Sequence, residues 1–323
     1  MWIQILLLVI GLATLLGGAE FLIRGASSIS KSLGIPAIVI GLAIVAFGTS
    51  TPELIVNVFS AISGDTGLAV GTIVGGNIAN VFLILGISSL IAELNVKRNT
   101  VWREIPFAIL SGFIIFLMGF DWFFDQSAGG VISRVDGFIL LAFFALFVYY
   151  TYELFLKGED DVGVAEESDV AIYSRNKSLI LMVGGFICLF LGGKLLVDQA
   201  EVLALNAGLS SALVGLTIVA VGTSLPELAT TLVATRKGHH DIAIGTIIGS
   251  NIFNIFFVLG LTAVIHPLPI PPETRIDIFV CLLSTIFLFL AMFIGKKFKL
   301  ERWQGALFLF GYVVYTIYLI YRK

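Results

Sequence analysis

Ten stretches of about twenty predominantly apolar residues run through this chain, and each is long enough to cross a bilayer as a helix. They lie near 2–23, 35–62, 67–91, 104–120, 135–156, 178–198, 209–235, 241–265, 275–295 and 303–321. In hydrocarbon every backbone N–H and C=O must be satisfied within the segment, so runs of this length fold as helices. Composition agrees: 58% of residues are hydrophobic and 13% charged, against about 25% charged in an ordinary soluble domain. The sequence predicts an all-α integral membrane protein. The first run has no basic residues before it and no small-residue cleavage pattern after it, so 2–23 reads as a retained span. Cys188 and Cys281 sit in apolar runs, with no disulfide or metal spacing, and read as small apolar filler.

A polar segment, 157–177, divides the spans five and five. Its Glu159, Asp160, Asp161, Glu166, Glu167 and Asp169 read as a solvated linker; a regulatory cation site is the alternative. Lys and Arg are strongly asymmetric, with fourteen in one set of loops. The other side has Arg134, Arg275, Arg322 and Lys323. The positive-inside rule makes the linker cytoplasmic and places both termini outside, in a multi-pass protein of the cell membrane.

Residues 35–94 align without a gap on 209–268, and 25 of those 60 positions are identical. A five-span unit has an odd number of crossings, so its second copy enters the membrane upside down. The expected architecture is ten transmembrane helices as two inverted five-helix repeats, 1–156 and 178–323. Secondary transporters built this way place their site at the repeat interface near the midplane. Duplication retained only for packing would explain repeated glycines but not repeated glutamates.

The most polar part of the repeat is Gly48-Thr49-Ser50-Thr51-Pro52-Glu53, which returns as Gly222-Thr223-Ser224-Leu225-Pro226-Glu227. A carboxylate at membrane depth is costly unless it meets a partner or a cavity. Pro52 and Pro226 have no N–H to offer the carbonyls of Gly48 and Gly222, so each helix breaks there. Carboxylate, hydroxyl and carbonyl oxygens together suit hard cations such as Ca²⁺ and Na⁺. Glu53 and Glu227 supply charge, and Thr49, Ser50, Thr223 and Ser224 supply hydroxyls. The third and eighth spans add amides: Gly75-Gly76-Asn77-Ile78-Ala79-Asn80 parallels Gly249-Ser250-Asn251-Ile252-Phe253-Asn254. Asn77 and Asn80 share a helix face. Such amides either coordinate a cation, orient a glutamate or join helices.

Two glutamates carry two negative charges, which one Ca²⁺ or two Na⁺ would neutralise. The two loads would then compete for one pocket, the minimal condition for exchange.

At these motifs the chain resembles the sodium/calcium exchanger family of the calcium:cation antiporter superfamily, most of all its prokaryotic members, over essentially its full length. The resemblance implies that Glu53 and Glu227 are central calcium ligands, joined by the carbonyls of Thr49 and Thr223. It implies a flanking sodium site from the Ala220 carbonyl, Thr223, Ser250 and Glu227, with a mirror site from Ala46, Thr49 and Glu53. Ser50 and Ser224 would support these sites, and Asn80 and Asn254 would line the middle. The first and sixth spans are expected to slide past the rest. Two departures stand out: Gly76 mirrors Ser250 without its hydroxyl, and Asn254 stands where some prokaryotic relatives have Asp. They leave proton or potassium coupling open.

The expectation is therefore a Na⁺/Ca²⁺ antiporter working by alternating access, active as a monomer, with no resident cofactor and no nucleic-acid partner. A proton- or potassium-coupled calcium exchanger is the nearest alternative, and a passive cation channel is a different class. No nucleotide motif points to an ATP-driven pump. No His or Cys accompanies the carboxylates, which argues against an enzyme. Glu20 and Lys194 read as interface residues, and His239 and His240 as part of a solvated turn.

Overall fold

A computed structural model describes residues 2–63, 69–119, 130–157, 172–206, 222 and 224–322. Helices α1 (Trp2–Leu33), α2 (Ala37–Thr49), α3 (Thr51–Ser63), α4 (Ala69–Ile91) and α5 (Thr100–Gly119) come first. Then follow α6 (Arg134–Lys157), α7 (Arg175–Asn206), α8 (Leu225–Arg236), α9 (His240–Ile265), α10 (Pro272–Ala291) and α11 (Arg302–Tyr321). Among the described residues eight helices are long and apolar enough to span a membrane, or nine when α2 and α3 are one span bent by 42°. Most of the seventh expected span and of the 157–177 linker lies outside the described residues, and α8 is what is seen of that span.

The first helix runs further than its apolar stretch predicts. Residues after Arg24 remain helical because Gly25, Ala26, Ser27, Ser28, Ile29 and Ser30 are all buried. The helix stops at Gly34, which takes the left-handed φ of 64° that a non-glycine residue resists. The Ile35 N–H then returns to the Ser30 carbonyl, and the Ser30 hydroxyl to the Ile35 carbonyl.

Helices α1 and α7 pack along their lengths, backbone against backbone. Gly11 lies on Gly192 and Leu196, Gly18 on Gly185 and Leu189, and Gly25 on Ser178 and Met182. Numbers rise in one helix as they fall in the other, so the pair is antiparallel. Gly11 and Gly185, like Gly18 and Gly192, stand at the same sequence offset as the two glutamates. A Cβ on Gly18 would fall 2.7 Å from the Leu189 nitrogen. Small residues are what allow such approach where no hydrophobic drive between helices exists.

Two antiparallel ladders tie the halves of the chain together. β1 (Leu94–Asn95) pairs with β4 (Lys299–Leu300), and β2 (Val131–Ile132) with β3 (Leu268–Pro269). At the centre stand α4 and α9. In its most apolar window α9 is 94% buried, against 17% for α6, so α9 is the axis and α6 faces lipid. The second span turns one side only inward. Ala46, Thr49, Ser50, Glu53 and Asn57 are buried, while Phe47, Ile55, Val56, Phe59 and Ile62 are exposed.

The α1–α7 seam makes a direct prediction. Gly18→Ala pushes a methyl into the Leu189 backbone and is expected to cost about 1–3 kcal/mol. Gly17→Ala, with nothing within 4 Å, is expected to gain up to about 1 kcal/mol from helix propensity. Thermal unfolding of the two variants in detergent measures the contrast.

Candidate functional site

The two expected breaks have the same shape. Ser50 sits at φ −85°, ψ 6° between α2 and α3, and Ser224 at φ −88°, ψ 6° before α8. Neither conformation continues a helix, and a proline follows two residues later in each case. Each new helix carries its glutamate in the first turn, where unpaired N–H groups and the helix dipole favour negative charge. Glu53 and Glu227 are 8% and 1% exposed, and each charge acts on the other. The Ser50 hydroxyl donates to Glu227 Oε1 at 3.0 Å. The break of the first half thus holds the carboxylate of the second.

Glycines set the approach of α9. A Cβ on Gly41 would fall 2.8 Å from the Ile242 carbonyl, and one on Gly249 would fall 2.8 Å from the Ala46 Cβ. With α2 and α9 this close, Ser250 comes to the level of Ala46, and both are fully buried. Gly76, the counterpart of Ser250, leaves open space; a Cβ there meets only the Ser224 hydroxyl, at 4.0 Å.

Where α4 and α9 cross, four asparagines close a network. Asn77 Nδ2 donates to the Asn251 carbonyl at 3.0 Å, and Asn251 Nδ2 to the Asn77 carbonyl at 3.4 Å. Asn80 Nδ2 donates to Asn251 Oδ1 at 2.9 Å, and Asn254 Nδ2 to Asn77 Oδ1 at 3.1 Å. The amide nitrogens of Asn80 and Asn254 are thereby turned inward to the network. Their Oδ1 atoms are left buried and without a partner. Both helices pass into wide π-type turns here, at Ala79–Leu85 and Asn254–Leu259, a feature that frequently marks functional sites.

Five buried oxygens end with no hydrogen-bond partner: Glu53 Oε2, Glu227 Oε2, Asn80 Oδ1, Asn254 Oδ1 and Ser250 Oγ. Four of them can only accept, and unmet acceptors of this kind call for a bound group. The set is all oxygen with two formal charges, the donor chemistry of a hard cation. Among the described residues no group of three or more His, Cys, Asp or Glu is placed to hold a metal ion.

Of the residues expected from sequence, Ala46, Thr49, Ser50, Glu53, Asn80, Ser224, Glu227, Ser250 and Asn254 are all buried. Thr49 turns its hydroxyl back to the carbonyls of Val45 and Ala46; its own carbonyl is what the reading needs. Ala220 and Thr223 lie outside the described residues. The reciprocal role of Asn77 and Asn251 is what sequence reasoning did not separate, although their recurrence in both halves was visible. Glu20 pairs with Arg24 at 2.6 Å and Lys237 at 2.7 Å, and Lys194 with Asp198 at 3.0 Å.

Asn251→Leu tests the network. It removes the partners of Asn80 Nδ2 and the Asn77 carbonyl, and a loss of about 1–3 kcal/mol for each buried group left unmet is expected. A lowered thermal midpoint in detergent is the readout.

Comparison with known proteins identifies the family. The family model described as sodium/calcium exchanger protein matches residues 3–153 and 177–321. The chain is 29% identical to the sodium/calcium exchanger MaX1 of Methanosarcina acetivorans over 99% of both sequences. It is 34% identical to the inner membrane protein YrbG of Escherichia coli, over 96% of this chain and 94% of that one. The solved structure of the sodium/calcium exchanger from Methanococcus jannaschii superposes with a TM-score of 0.80 at 28% identity, covering 96% of each chain. This chain belongs to the sodium/calcium exchanger family, a family of membrane antiporters that move cations and calcium rather than catalyse chemistry.

Proposed function

We propose that the protein exchanges Na⁺ for Ca²⁺ across the cell membrane by alternating access. The observation that carries this reading is the pair of equivalent helix breaks, in which Ser50 of the first holds Glu227 of the second and each glutamate keeps one buried oxygen without a partner. Glu53 and Glu227 take the calcium, with the carbonyls of Thr49 and Thr223 and the amide oxygens of Asn80 and Asn254 around it. The Ala220 carbonyl, Thr223, Ser250 and Glu227 form one sodium site, and Ala46, Thr49 and Glu53 its mirror. Ser50 and Ser224 steady the pocket, as the bond from Ser50 to Glu227 illustrates.

Charge drives the coupling. An empty pocket keeps two carboxylates without counter-charge at membrane depth, so it resists moving between access states. One Ca²⁺ or two Na⁺ relieves that cost, and only a loaded carrier reorients. A third Na⁺ would leave net positive charge and make exchange electrogenic.

The architecture in this reading is ten spans in two inverted repeats, with both termini outside and the 157–177 linker in the cytoplasm. The antiparallel course of α1 and α7, whose glycines match at the repeat offset, supports it. So does the crossing of α4 and α9, in which the first half of each lies on the second half of the other. The backbone-on-backbone seam between α1 and α7 suits two helices that slide. Since one chain holds both half-sites, a monomer suffices. The second reading is coupling to H⁺ or K⁺, which Gly76 favours by leaving one flank of the pocket without a hydroxyl.

Sodium-gradient-driven uptake of radioactive calcium into proteoliposomes tests the proposal. Wild-type uptake is expected, with loss to background in Glu53→Gln and in Glu227→Gln. Uptake that follows an imposed proton or potassium gradient, and ignores sodium, would shift the assignment to the second reading. Gly76→Ser fits the space beside Ser224 and restores the missing hydroxyl. It is expected to lower the sodium concentration for half-maximal exchange by up to about tenfold, the worth of one good polar contact.

A further inference from the structure

Helix α8 carries a second set of buried oxygens beyond the central pocket. Thr231 and Thr235 follow Glu227 at successive fourth positions, on one helix face. They are 0% and 2% exposed, and neither hydroxyl has a hydrogen-bond partner. Their neighbour Thr230 shows the usual solution, donating to the carbonyls of Pro226 and Glu227 at 2.8 and 3.1 Å. Helix α8 packs on the last stretch of α4, residues 86–91. There the Ser88 hydroxyl is likewise buried and without a partner. An unmet buried hydroxyl costs about 1–3 kcal/mol, so three on two packed elements call for a cause.

The repeat supplies an internal control. Its offset pairs Thr231 with Asn57, Thr235 with Ala61 and Ser88 with Thr262. Helix α3 packs on residues 260–265 of α9 as α8 packs on 86–91 of α4. In that half the same positions are closed. The Asn57 amide donates to the Glu53 carbonyl at 2.8 Å and accepts from Thr72 at 3.5 Å. Ala61 has no polar group, and Thr262 donates to the Val258 carbonyl at 2.6 Å. One scaffold therefore satisfies or omits these groups on one side of the pocket and leaves three hydroxyls open on the other. Packing alone does not require them.

We infer that Thr231, Thr235 and Ser88 line the path by which a hard cation passes between Glu227 and the end of α8 that bears Lys237. The inference rests on the antiporter reading and extends it to residues that carry the ion after the central site. Each step along α8 advances about 6 Å, so Thr235 stands about 12 Å from the glutamate level. Hydroxyls replace part of a cation's hydration shell without adding charge. They ease transit while leaving the strong binding to the two carboxylates. In this structure α8 packs on α4 and α1 and closes the path.

Thiol accessibility provides a test that needs no transport. In a background with Cys188 and Cys281 replaced by alanine, Thr235→Cys is treated in vesicles with the permanently charged, membrane-impermeant reagent 2-(trimethylammonium)ethyl methanethiosulfonate. Reaction from the Lys237 side alone is expected; an inert thiol, or one reached from the opposite side, overturns the path. In exchange assays the double variant Thr231→Val/Thr235→Val is expected to turn over about tenfold more slowly. Its thermal stabilisation by calcium should stay unchanged, and the double serine variant should keep the wild-type rate. Valine at the wild-type rate, or serine as slow as valine, also overturns it. Absence of calcium flux driven by sodium, proton or potassium gradients in the wild type would sink the antiporter reading instead, while the thiol result still stands or falls separately.

Discussion

Two carboxylates buried at bilayer depth dictate most of what surrounds them. Left alone, a charge there is driven to a partner or to neutralisation. This fold places each one in the first turn of a fresh helix, where free N–H groups and the dipole favour negative charge. That placement requires the helix to break just before the glutamate. The break requires Ser50 and Ser224 to leave helical geometry, and Pro52 and Pro226 keep the ladder from re-forming. The second oxygen of each glutamate remains unmet, and in the antiporter reading that residual demand is what a cation answers.

The same molecule contains two kinds of helix contact, and their difference is mechanical. At the centre, α4 and α9 are bound by four asparagines through directional bonds, each amide answering another across the crossing. Shifting that pair by even one residue would break the whole set. At the periphery, α1 lies on α7 chiefly through glycines, with backbone opposite backbone at Gly11, Gly18 and Gly25. Close packing there is mostly van der Waals in origin, with a single side-chain bond, Ser178 Oγ to Ser28 Oγ at 2.9 Å, near one end. In the antiporter reading, the rigid crossing keeps the pocket intact while the seam permits movement. The pair from Glu20 to Lys237 ties α1 to the end of α8, and so links the seam to the side on which the open hydroxyls lie.

Much of this was legible in the sequence because the repeat turns every functional residue into a pair. Glu53 and Glu227, the breaks at Ser50 and Ser224, and the polar spans α4 and α9 all follow from it. What escaped depends on direction in space. Asn77 and Asn80 lie on one face, yet nothing in their spacing says that one amide locks the helices with both its atoms while the other leaves its oxygen unmet. The extension of α1 to Leu33 depended on what α7 buries, not on hydropathy, which falls after Ile23. The lipid-facing side of α2 and α3 was hidden by the polar residues of the other side. Thr231 and Thr235 read as ordinary helix threonines, because a hydroxyl that bonds the preceding turn and one that does not have the same sequence.

The two halves are alike in backbone and unlike in oxygen, and the inequality has a consequence. If the repeats were identical, inverting the access of the carrier would exchange equivalent environments, and both faces would meet the ions with equal affinity and equal ease. In the repeat alignment Ser250 is matched by a bare Gly76, Thr231 by Asn57, and Thr235 by Ala61. On one side of the pocket these groups are tied within the protein or absent, and on the other, where Ser88 of the first half joins Thr231 and Thr235 of the second, they are open. In the antiporter reading, the state in which the open side is hydrated gains solvation that its mirror cannot gain, because Asn57 and Thr262 already have partners. The two access states of such a carrier therefore differ in energy even when empty of ions, and that difference resides in hydroxyls outside the binding carboxylates.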